Sequence, residues 1–165
     1  MTNRHFRYVF FLLMICAGVN AQQEAACRTK LESTNKISPF PEVQTDDYTK
    51  CLDVLETYFY SIGPAVKKNN DRIEKLKSAL SKSKKNLSSA SATKTDSANY
   101  KELELATPPE IKALTDSNAV LVSQKDKYKA TLKESLNKII DLFHNTNNAD
   151  ETVYRAKLAK LNAAK

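Results

Sequence analysis

The chain has 165 residues, 41% hydrophobic and 27% charged, which is too apolar for a wholly disordered polypeptide and enough for one domain. With only two glycines and no tryptophan, it has little of the turn chemistry that a β-sandwich or a doubly wound α/β fold needs, and no glycine-rich phosphate loop. The formal net charge of +7 directs attention to polyanionic partners.

Arg4, His5 and Arg7 are followed by an uncharged run from Tyr8 to Val19 and then by Val19-Asn20-Ala21. This is the layout of a secretory signal: basic start, short apolar stretch, small residues at the cleavage site. The run is shorter than the about 20 apolar residues a spanning helix needs. Cleavage after Ala21 is expected, leaving 22–165 as a single secreted, extracellular domain. No other segment approaches membrane length.

Cleavage also removes Arg4, Arg7 and Cys16, so the net charge falls to +5 and Cys27 and Cys51 remain. In an oxidising compartment these two thiols most simply pair with each other. Closing a loop of about 25 residues stabilises by roughly 3–4 kcal/mol on the chain-entropy model. No further Cys or His stands at ligand spacing, so neither a metal site nor a cofactor is implied.

Along the mature chain, Gln22 to Lys36 reads as a short helix carrying Cys27. It is stopped by Ser38-Pro39-Phe40-Pro41, where each proline lacks a donor and restricts its predecessor. Thr45 or Asp46 caps the next helix. Tyr48, Cys51, Leu52, Leu55, Phe59 and Ile62 recur at three- and four-residue steps on one face. Gly63-Pro64 is expected to end or kink it, and a second stripe follows at Val66, Ile73, Leu76 and Leu80. Residues 81–97, rich in Ser, Lys, Ala and Thr, read as a mobile basic linker.

Thr107-Pro108-Pro109-Glu110 combines a cap, a proline at the first helical position and a capping box, and so predicts a helix start. That helix is expected to carry Ile111, Leu114, Leu121, Tyr128, Leu132, Leu136, Ile139 and Phe143 on one face. A break follows at Asn145 to Asn148. Asp150 or Asn148 then caps a last helix bearing Val153, Tyr154, Leu158 and Leu161. The expectation is an all-α fold, an antiparallel bundle of four to five amphipathic helices with one disulfide.

Little in the sequence points to catalysis. His144 is the one histidine left after cleavage, with no Cys-His or HExxH-like partner, and it suits the C-terminal end of the long helix. The carboxylate pairs Asp46/Asp47 and Glu102/Glu104 read as capping and solvated charges. The basic stretch says more. Lys67, Lys68, Arg72, Lys75, Lys77, Lys82, Lys84, Lys85 and Lys94 face only Asp71 and Glu74. Such a field attracts polyanions, whereas the absence of an aromatic side chain in the stretch speaks against sequence-specific nucleic-acid binding. Asn86-Leu87-Ser88 is an N-glycosylation sequon expected to be occupied, where a glycan would shade part of the basic patch and oppose tight binding by it, and Lys84-Lys85 is a candidate processing site. A hydrophobic ligand would be lined by Tyr58, Phe59, Ile62, Leu121, Tyr128 and Leu132. The expected function is non-enzymatic binding of an extracellular protein or polyanion in a body fluid or glandular secretion. The alternative is an extracellular carrier of a lipid or other small hydrophobic molecule.

Overall fold

The computed structural model describes residues 22–37, 45–88 and 93–164; the expected signal segment and the Ser38-Pro39-Phe40-Pro41 stretch lie outside them. All regular structure in the described residues is helical: α1 (22–35), α2 (Thr45–Leu87), α3 (Lys94–Asn145) and α4 (Glu151–Ala163). The helix count is therefore four. None of these helices is long and apolar enough to cross a membrane.

Two expected helix boundaries are absent, and helices enter the expected linker from both sides, its residues 89–92 lying outside those described. α2 runs through Gly63-Pro64, and α3 runs through Pro108-Pro109. Each proline removes a helical donor, but the helix is held on both sides of it by buried residues: Phe59 and Ile62 before Pro64 and Ile73 after it, Thr107 before Pro108 and Tyr128 after it. Residues 81–87 and 94–97, expected in a mobile linker, are the end of α2 and the start of α3. Lysine is a good helix former, and half-buried Leu80, Ser83 and Leu87 continue the inward face of α2 through this region.

The start of α3 is set by Thr93 and not by Thr107. The Thr93 backbone N–H donates to Asp96 Oδ2 at 2.8 Å, and the Asp96 N–H donates to Thr93 Oγ1 at 3.2 Å. This reciprocal capping box satisfies donors that the first turn otherwise leaves open. The Thr93 hydroxyl, which donates to Asp96 Oδ2 at 2.6 Å, and then the Thr93 backbone N–H hold the Asp96 carboxyl below the usual carboxylate range. At the other end, Asn147 takes a left-handed φ of 52°. Asn148 N–H donates to the Phe143 carbonyl at 2.8 Å and Asn147 N–H to that of His144 at 3.3 Å. These two bonds form a Schellman motif, and asparagine tolerates the conformation it requires. Asp150 precedes α4 without a side-chain cap bond, and Val153, expected on the inner face of α4, is 52% exposed.

The chain divides into two compact units. The second spans Tyr60–Lys125; the first takes α1, α2 through Phe59, α3 from Asp126 and α4. In the first unit, Cys27 and Cys51 form a disulfide with Cα atoms 4.8 Å apart, and Lys30 pairs with Asp47 at 2.9 Å. These contacts set α1 antiparallel to α2. Asn35, Tyr48 and Ser135 meet across three helices, which places α3 alongside α1 and against the direction of α2. Phe143 packs edge-on to Tyr154, with centroids 5.4 Å apart, and Lys157 bonds Asp53 and Glu56 to seat α4. Leu31, Leu52, Leu55, Phe59, Leu132, Leu136, Ile139 and Leu161 form the core.

The second unit is a helical hairpin. Its α2 face repeats Val66, Asn69, Ile73, Leu76, Leu80, Ser83 and Leu87 at alternating three- and four-residue steps, the pattern of a two-stranded seam. Asn69 donates to Asn118 and Asn118 to Asn70, each at 2.8 Å, and Arg72 donates to Glu110 at 2.9 Å. Amides paired across a helical seam fix register, because slipping by one step would leave them unpaired among apolar groups. Glu110, expected in a capping box, instead holds this cross-helix bond.

Candidate functional site

The basic residues picked out from the sequence lie on the α2 arm of the second unit, and Lys67, Lys68, Arg72, Lys75, Lys77, Lys82, Lys84 and Lys85 are all exposed. Their exposure follows from the seam: with Ile73 and Leu76 buried against α3, the opposite side of α2 must face water. Arg72 is paired with Glu110 and Lys77 with Glu74, each at 2.9 Å. No ion pair among the described residues engages Lys67, Lys68, Lys75, Lys82, Lys84 or Lys85.

Charge is divided between the units. Residues 22–59 and 126–165 hold twelve basic and twelve acidic residues and are balanced. The whole excess of +5 in residues 22–165 therefore falls in Tyr60–Lys125, and the α2 arm supplies it, with eight basic residues against Asp71 and Glu74. The α3 arm is slightly acidic.

The six candidate ligand-lining residues do not form one set within a unit. Phe59, Tyr128 and Leu132 are core residues of the first unit, at most 3% exposed, and Tyr58 is half-buried there. Ile62 and Leu121 belong to the second unit. Burial pushes the Tyr128 hydroxyl up to about 12, helped by its hydrogen bond to Glu24 and by that carboxylate's charge. Burial also raises Tyr58, with the charge of Glu24 adding to it.

Among the described residues, two open grooves are lined by none of the six. One, of about 520 Å³, lies at the hairpin end between Lys82, Ser83 and Asn86 of α2 and Asp96, Asn99 and Glu102 of α3. The other, of about 540 Å³, is in the first unit and is lined by residues including Thr45, Thr49, Phe143 and Tyr154. Asn86 is exposed in the last turn of α2, and Lys84-Lys85 is helical. His144 occupies the last turn of α3, with Nδ1 at 3.3 Å from Glu151. Among the described residues no group of three His, Cys, Asp or Glu is placed to hold a metal ion.

The sequence missed the cluster of Asn35, Tyr48 and Ser135. Tyr48 Oη donates to Asn35 Oδ1 at 2.5 Å, and Asn35 Nδ2 donates to Ser135 Oγ at 2.9 Å. Burial pushes the Tyr48 hydroxyl up to about 12. Nothing in the local sequence marks Asn35 or Ser135 as interior, since the partners are 100 residues apart. A fully satisfied network of this kind fixes how three helices pack. Comparison with known protein families, curated proteins and solved structures gives no match.

Proposed function

We propose that this is a secreted, non-enzymatic helical protein, an antiparallel bundle with a basic helical face, that acts by binding a partner in an extracellular fluid or glandular secretion. The supporting observation is how the side chains are used. Six lysines on the α2 arm are exposed and outside every ion pair, while the large apolar residues Phe59, Tyr128 and Leu132 are taken up in core packing. This arrangement supports action from the surface over carriage of an apolar ligand. The signal layout at Arg4 to Ala21 and the Cys27–Cys51 disulfide support export.

The test is native mass spectrometry of the medium from a secreting eukaryotic cell expressing the full chain. The expected product starts at Gln22, carries one disulfide, is uncut at Lys84-Lys85 and holds no small apolar molecule. A lipid-sized adduct that leaves on gentle activation would replace this reading with the carrier. A chain held inside the cell would overturn the secretion on which it rests.

A further inference from the structure

We infer that the exposed face of the α2 arm is a track for a linear sulfated polysaccharide, with Lys68, Lys75 and Lys82 as its axis and Lys67 and Lys85 on its flank. The inference rests on the secreted, surface-binding reading above and names the partner.

Lys68, Lys75 and Lys82 recur at seven-residue steps. At 3.6 residues per turn they lie within about 40° of one another around the helix and about 10.5 Å apart along it. The row faces away from buried Ile73 and Leu76. Asp71 is the acid within it, and Glu74 at its edge is held by Lys77.

Three features select the occupant. The row presents single cations at intervals rather than a cluster on one point, so a compact anion meets one lysine while a chain of repeating anionic groups meets several. Lysine ammonium groups are hydrated point charges suited to diffuse, salt-sensitive contact rather than bidentate recognition. The exposed residues from 67 to 86 include no aromatic or large aliphatic side chain, so the face has nothing to insert into a lipid surface and no platform for stacking bases. In the extracellular space, sulfated polysaccharides are the polyanions with the required linear periodicity.

The test titrates the secreted full chain with heparin over a range of salt. Alongside run the triple variant Lys68→Gln, Lys75→Gln, Lys82→Gln and a matched control, Lys50→Gln, Lys127→Gln, Lys133→Gln, which removes equal charge from exposed sites in the first unit. Circular dichroism confirms that both triples fold. The track variant should bind at least about tenfold more weakly, with its log–log salt slope flattened by about two to three, while the control stays within about threefold. Equal losses in both triples would reduce the effect to net charge and overturn the inference. So would equal affinity for desulfated heparin, preference for anionic phospholipid vesicles, or no heparin binding at physiological salt. A secreted chain that ignores heparin overturns the track alone; a chain that is never secreted overturns the function and the track together.

Discussion

Replacing Tyr48 with phenylalanine tests whether the polar cluster at the junction of α1, α2 and α3 holds those helices in place. Tyr48 and Ser135 are 0% exposed and Asn35 is 4% exposed, so none of the three exchanges its bonds freely with water. Tyr48→Phe keeps the ring and deletes the 2.5 Å bond, leaving Asn35 Oδ1 with Ser135 Oγ at 3.3 Å. A buried acceptor that loses its better donor costs about 1–2 kcal/mol. Asn35→Ala strips partners from both Tyr48 and Ser135 and adds a small void, for about 2–3 kcal/mol. Because the residues share bonds, the double variant should cost at least about 0.5 kcal/mol less than the two single losses combined. Urea unfolding followed by far-UV circular dichroism, with the disulfide intact, measures all three. A Tyr48→Phe variant within about 0.3 kcal/mol of the parent, or strictly additive losses, would mean that the cluster does not act as a unit.

Cys27→Ser with Cys51→Ser should lower stability by about 3–4 kcal/mol in the same assay, because the disulfide closes a loop over a sequence separation of 24. Stability should also fall in alkali. Burial raises Tyr48 and Tyr128 to about 12 in the folded chain, against about 10 for an unperturbed tyrosine. The folded state therefore binds these protons more tightly, and its advantage is full below pH about 10 and is lost as pH climbs toward about 12. A flat denaturation midpoint across that window would contradict the burial argument. Pro64→Ala should stabilise by about 1–3 kcal/mol, since Pro64 is exposed inside α2 and contributes a missing donor and a clash. Thermal melts would show the gain, and a loss would mean that the proline shapes the helix productively.

The basic face was legible as a charge run, because charge is a property of composition. Its division into an axis and a flank needed the helix to continue unbroken from Lys67 to Lys85, which the linker reading denied. The Thr93 to Asp96 capping box carries a signal of the same type as Thr107 to Glu110, set in a serine-rich stretch whose composition reads as linker. Of the six candidate ligand-lining residues, Phe59, Ile62, Leu121, Tyr128 and Leu132 stand on apolar stripes, and Tyr58 is a large apolar neighbour off the stripe. Periodicity marks which side of a helix is buried, not whether it meets a neighbour or a cavity.

By itself the sequence determined what is local or chemically forced. The helical class follows from three- and four-residue apolar steps and scarce glycine, and the break after Asn145 from an asparagine run able to take a left-handed turn. The Cys27–Cys51 disulfide joins the two cysteines that follow Ala21 in the sequence. Tertiary structure decided where helices do not stop. Proline and serine weaken a helix by an amount that residues packed on either side can exceed, so α2 and α3 pass through sequences that would end them in isolation. It also decided that Asn35 and Ser135 join Tyr48 in the interior, since a polar residue is placed inside by partners that only folding brings within bonding distance.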